Sequence, residues 1–267
     1  MIAQTWLVGA LCWASGYVWV RLIARMRVKR PLVDWNNEPR CRWMTAWELV
    51  GVYVALTWIL MHLIPAFFRS VRETDEGVNL KSILLNTVVA TGVAVILPCV
   101  IATGTRSFAA IGYSMTKLAD QIRVGVGGYF AAVLPMAISM ALTLPIRTID
   151  RQHTLLKLLS DSPDAWTLTL ITVTAVVCAP LLEELIFRVV LQSWLAVMIR
   201  PAWAIVSVAI AFSMVHGWRD GLALLPLSLI LGYVFYRRHS YLSVVVIHSL
   251  FNATMLCVQL LNPRISQ

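Results

Sequence analysis

Residues 179–191 read APLLEELIFRVVL, so Glu183, Glu184 and Arg188 interrupt a run that is otherwise apolar. An ionised side chain at mid-bilayer costs at least ~2.5–3.5 kcal/mol, and such groups turn to a protein interior and pair. Glu184 and Arg188 stand four residues apart on one helical face, where each neutralises the other. Glu183 is turned about 100° away by a single helical step, so it needs a partner or a task of its own. A carboxylate in an apolar cavity can serve as a base on water. Burial against a hydrogen-bonding backbone group is the alternative.

Two later segments carry polar groups at the same helical spacing. AFSMVHG (211–217) places Phe212 and His216 four apart, and HSLFN (248–252) does the same for His248 and Asn252. Side chains at that spacing project from one face. Two glutamates, an arginine, two histidines and an asparagine therefore fall in three apolar segments near the end of the chain. Peptide hydrolysis asks for an activated water and for donors to the oxyanion that develops. Glu183 with His216 suits the first need, and His248 with Asn252 suits the second. Glu184 and Arg188 then hold each other, and Phe212 shares the helical face of His216. HExxH and GxSxG are both absent, which removes those zinc-protease and serine-hydrolase schemes. A three-ligand zinc site from Glu183, His216 and His248 stays open as a second arrangement; the expectation is no metal and no cofactor.

Depth along the helices can be compared from spacing. With a turn at Arg200–Pro201, Glu183 lies 17 residues before Arg200 and His216 lies 16 after it. Antiparallel helices would hold both at ~25 Å from the turn. His248 lies ten residues after Arg238, which gives only ~15 Å. A tilt or a break must close that gap.

These residues need apolar helices to position them. The 267 residues are 59% hydrophobic and 13% charged, with a mean hydropathy of +0.77, whereas a soluble domain carries about a quarter charged residues. Apolar spans fall near 2–20, 46–66, 82–103, 125–145, 167–199, 201–216, 221–236 and 241–261. These runs are too long for barrel strands, so the expected fold is an all-α polytopic membrane protein of about eight helices. Residues 1–145 form its N-terminal helices and 146–267 its catalytic core, within one membrane domain. The first span reads as a retained anchor, since it has no basic n-region and ends in Arg21, Arg25, Arg27, Lys29 and Arg30. The span 167–199 would be ~50 Å as a straight helix, so Pro180 near its middle marks a tilt or break.

Charge sets the orientation. Loop 21–45 holds seven basic residues against two acidic ones, while 69–80 holds Arg69 and Arg72 against Glu73, Asp75 and Glu76. The positive-inside rule then places Arg106, Lys117, Arg123, Arg200 and Arg237–Arg238 in the cytoplasm and both termini outside. The net charge of +9 fits a surface against anionic lipid, and no nucleic-acid module accompanies it. All the cysteines except Cys41 lie in apolar runs, with no CxxC pair, and read as packing residues.

At EELIFR (183–188), FSMVH (212–216) and HSLFN (248–252) the sequence resembles the CPBP family of intramembrane proteases, also called the Abi or CAAX-protease and bacteriocin-processing family, whose motifs are EExxxR, FxxxH and HxxxN. The flanking APLLEE, the trailing HG and HTLLKLLSD before the long span are similar too. Val189 departs from the pattern, since many members have glycine there. The resemblance covers roughly residues 150–260. It implies a metal-independent glutamate protease in which Glu183 and His216 activate water while His248 and Asn252 form the oxyanion site. Its expected partners are the bilayer and a membrane-associated protein or peptide, cleaved near its C-terminus, and its expected place is a bacterial inner membrane. Eukaryotic relatives trim prenylated CAAX proteins, whereas many bacterial ones are linked to bacteriocin processing or self-immunity. A non-cleaving scaffold or immunity protein is one competing class. A proton-coupled transporter is another, although no repeat relates the two halves. Nothing in the residues speaks to oligomeric state.

Overall fold

A computed structural model describes residues 2–34, 46–68, 80–146 and 164–261. Eight helices longer than one turn are found among the described residues: α1 (Ile2–Arg27), α2 (Ala46–Phe68), α3 (Leu80–Thr105), α4 (Leu118–Thr143), α5 (Ala165–Met198), α6 (Pro201–Val215), α7 (Trp218–Arg238) and α8 (Tyr241–Leu260). No strand forms among the described residues. Six of these helices are long and apolar enough to cross a membrane. The exceptions are α6, at 15 residues, and α7, which carries Arg219, Asp220, Arg237 and Arg238 at its ends. The chain is a polytopic all-α membrane protein. Its helices run beyond the apolar spans because charged residues continue a helix into the interface; α1 extends through Arg25 and Arg27, and α4 begins at Leu118. Cys41, Arg40, Arg42, the charged loop 69–79 and HTLLKLLSD lie outside the described residues.

α4 packs against α7 and α8 on one side and α1 on the other, while α5 runs between α2–α3 and α6–α8. One hydrophobic core runs through α2–α8. Its tightest part is Leu185–Gln192 of α5, where every residue is buried. Val189 is among them and shows no exposed surface, so valine is accommodated where glycine is common.

Prolines interrupt α4 at Pro135 and α7 at Pro226. Each lacks the N–H that would meet the carbonyl four residues earlier. Without water, a neighbouring helix must supply another donor. The carbonyl that Pro135 abandons belongs to Ala131, and it accepts from the Trp19 indole N–H of α1 at 3.0 Å. The one that Pro226 abandons belongs to Leu222, and it accepts from the Ser139 hydroxyl of α4 at 3.3 Å. Polar contacts thus fasten the peripheral α1 to the interrupted part of α4. Ser15 adds another, donating to the Phe130 carbonyl and accepting from the Leu134 N–H at 3.0 Å.

Several loops meet at one end of the bundle. Arg237 Nε donates to the Val33 carbonyl at 3.0 Å, and Arg238 pairs with Asp120 in the first turn of α4. The His239 Nε2–H donates to the Ala110 carbonyl at 2.9 Å, and the Tyr241 N–H meets the Gly112 carbonyl at 2.9 Å. The segment after α1, the loop between α3 and α4 and the end of α7 therefore meet. In the loop between α3 and α4, burial and the neighbouring Tyr241 ring push the Tyr113 hydroxyl well above its ordinary pKa, so it stays a neutral phenol.

At the opposite end, α6 stops at His216 and α7 begins after Gly217, whose φ of +90° favours glycine. A Cβ placed on Gly221 would lie 1.8 Å from the Ser213 carbonyl oxygen, whereas one on Gly127 meets nothing within 4 Å. Gly221→Ala is expected to cost at least the ~1–3 kcal/mol of ordinary overpacking and to lower the unfolding temperature in detergent. Gly127→Ala should not lower it.

Candidate functional site

α5 is not a uniform helix. It changes from α to π geometry at Thr174–Cys178, returns to α at Ala179–Glu184, and becomes π again at Leu185–Gln192. Such insertions occur frequently at functional sites. The expected break near Pro180 thus takes the form of two π segments flanking the glutamate turn.

Glu184 and Arg188 are wholly buried, with Glu184 Oε2 3.2 Å from Arg188 Nε. The pair is not isolated. Glu184 Oε1 accepts from the His248 Nδ1–H at 2.8 Å, and Arg188 Nη2 donates to the Ser228 hydroxyl at 3.2 Å. Gln192 Nε2 donates to the Gly232 carbonyl at 2.8 Å. Arg188–Ser228 and Gln192–Gly232 are each 40 residues apart, so α7 runs parallel to this part of α5 in fixed register.

Glu183 faces the other way. Its Oε2 lies 3.6 Å from His216 Nε2 and 3.9 Å from His248 Nε2. It is buried there with no hydrogen-bond partner among the described residues. Both imidazoles have a fixed tautomer. The His216 Nδ1 faces the Phe212 carbonyl at 2.7 Å, and the His248 Nδ1 faces Glu184. Those oxygens can only accept, so each Nδ1 carries hydrogen and each Nε2 is turned to Glu183. Side-chain exposure separates the two carboxylates: Glu184 has none, whereas Glu183 keeps 15% and His216 keeps 29%.

Phe212 forms one wall. Its ring centroid is 4.6 Å from that of His216 and 5.8 Å from that of His248, and it lies 4.9 Å from the Arg188 guanidinium carbon. Asn252 Nδ2 donates to the Ala175 carbonyl at 2.8 Å, so at least one of its two N–H bonds is committed to the backbone of α5. Six of the seven residues singled out in the sequence are linked by direct contacts, and Asn252, one turn beyond His248, reaches the backbone of α5 at Ala175. The depth mismatch of His248 also has a cause. His239, Ser240 and Tyr241 are buried, exposed by 3%, 5% and 7%. The α7–α8 turn is thus covered by the loop between α3 and α4 instead of lying free at the surface.

Contacts not read from the sequence include Glu184 with His248, Arg188 with Ser228, and the Tyr241 hydroxyl with the Leu181 carbonyl at 2.7 Å. Tyr241, His248 and Asn252 stand at i, i+7 and i+11, so a polar stripe on α8 was available as a signal. Ser228, alone in LLPLSLIL, had none. Among the described residues no group of three or more His, Cys, Asp or Glu is arranged to hold a metal ion.

Residues 165–254 match the family model described as type II CAAX prenyl endopeptidase Rce1-like. That segment contains all seven residues and runs from the start of α5 into α8. No curated protein and no solved structure matches the chain.

Removing one partner of a buried ion pair leaves the other charge uncompensated, at about 3–5 kcal/mol. Arg188→Met is expected to destabilise the protein by that order in detergent unfolding, and Glu184→Gln in the same chain should recover part of the loss. A double variant less stable than Arg188→Met would contradict the pairing.

Proposed function

With that Rce1-like segment as premise, we propose that the chain is an intramembrane endopeptidase, a multi-pass protein of the bacterial inner membrane. It hydrolyses a peptide bond near the C-terminus of a membrane-associated protein or peptide. The observation that carries this reading is Glu183 Oε2, buried between the Nε2 atoms of His216 and His248 at 3.6 and 3.9 Å. Both distances exceed a direct hydrogen bond, and a spacing of this kind suits a bridging water.

Such a water gives one hydrogen bond to Glu183 and one to the His216 lone pair. Glu183 removes its proton as the oxygen attacks the scissile carbonyl carbon, and the carbonyl oxygen becomes an oxyanion. His248 and the second Asn252 N–H serve that oxyanion. To donate there, the His248 Nε2 must carry a hydrogen besides the one on Nδ1, and Glu184, which holds the ring through Nδ1, is placed to stabilise that imidazolium. When the tetrahedral intermediate collapses, the proton taken by Glu183 passes to the leaving amine. Each step uses side chains alone, without a metal.

Positioned general acid–base catalysis contributes about 10²–10⁴-fold. Glu183→Ala is expected to lower turnover by at least that factor with the fold retained, and His248→Ala should abolish cleavage too. Membranes carrying Glu183→Ala, compared by proteomics with wild-type membranes, should accumulate uncleaved precursors whose C-terminal segments identify the substrate. No accumulating species would favour a non-cleaving scaffold. Treatment with a chelator is expected to leave activity intact, whereas loss on chelation and recovery with zinc would point to a metal enzyme.

A further inference from the structure

Ala179 donates its N–H to the Thr174 carbonyl, five residues back, as a π turn requires. The next carbonyl is that of Ala175. In an α register its donor would be Ala179, which is already engaged. In the π register its donor would be residue 180, which is proline and has no N–H. Ala175 is therefore left without a backbone donor in either register, and the Asn252 amide reaches it at 2.8 Å. Six residues further along α5, the Leu181 carbonyl accepts from the Leu185 N–H and also from the Tyr241 hydroxyl at 2.7 Å. Both donors stand on α8, on the face that carries His248 between them.

We infer that Tyr241 and Asn252 form a splint on the interrupted helix, with Asn252 standing in for the N–H that Pro180 lacks and Tyr241 holding the carbonyl just before the two glutamates. The break at Pro180 is gripped on one side at Ala175 and on the other at Leu181, and His248 is fastened to Glu184 three residues beyond. Its register against α8 is then fixed by three hydrogen bonds from one helix face. The same arrangement recurs where chemistry is absent. Trp19 serves the carbonyl freed by Pro135, and Ser139 the one freed by Pro226. On α5 the device also sets the distance from Glu183 to His248, so Tyr241 is a positioning residue for the proposed reaction, and Asn252 has a structural task besides any donation to the oxyanion.

The role in catalysis rests on the protease reading, but the splint does not, and the two are tested separately on the full chain in detergent. Unfolding temperatures of wild type, Asn252→Ala, Pro180→Ala and the double variant form a cycle. Asn252→Ala is expected to lower the midpoint by about 2–4 °C, the shift of one lost hydrogen bond at this size. In the Pro180→Ala background the same substitution should cost little, because residue 180 or 179 then provides a backbone donor for Ala175. Equal losses in both backgrounds would overturn the assignment, whether or not the protein cleaves anything. For Tyr241, Tyr241→Phe removes only the hydroxyl. A slight misplacement of Glu183 is expected to lower kcat by about ten- to a hundredfold with KM unchanged. Unchanged kcat in an active enzyme would remove Tyr241 from the device.

Discussion

In the hydrocarbon core there is no water to accept a stray hydrogen bond, so every departure from a straight, apolar helix must be met by another part of the chain. The glutamate-bearing helix departs most. It contains two π segments, a proline, two carboxylates and a guanidinium, and the second π segment, Pro180, Glu184 and Arg188 are buried. Its neighbours meet several of these departures: α8 supplies Asn252, His248 and Tyr241, and α7 supplies Ser228 and the Gly232 carbonyl. Polar bonds of this sort act only over short distances and with fixed geometry. They align the helices more strictly than packing of leucine against leucine, which would be no worse against lipid tails.

The two adjacent glutamates show how one helical step divides labour. Glu184 points into the dry interior and holds both Arg188 and His248, so its charge is compensated and its position is fixed. Glu183 points towards His216 and retains exposure. Phe212 serves both sides, with its ring against His216, His248 and Arg188, while its carbonyl sets the His216 tautomer. The imidazoles are thus oriented by a carbonyl in one case and a carboxylate in the other. That gives them different electrostatic surroundings although both face the same oxygen.

Much of the fold and site was legible in the sequence. A charged pair at i, i+4 in an apolar run demanded an internal face, and the Glu184–Arg188 contact follows. Equal spacing of Glu183 and His216 from the Arg200 turn placed them level, as they are. Helix ends were less legible, because arginines and polar residues extend α1 and α4 past their apolar spans. His248 was harder still, since spacing from Arg238 assumes a turn at the surface. The α7–α8 turn is instead buried under the loop between α3 and α4, where Ala110 and Gly112 bind His239 and Tyr241.

By itself, then, the sequence determined a helical membrane bundle and the set of polar side chains that it must enclose, because the cost of charge in lipid leaves few alternatives. It also located the break, because a proline without an N–H cannot be hidden. Only the tertiary structure decided which donor repairs the break, that Glu184 is shared between Arg188 and His248, and that both Nε2 atoms converge on Glu183. Those outcomes depend on how the π turns shift register and on which face of α8 meets α5, quantities set by packing among helices far apart in the chain.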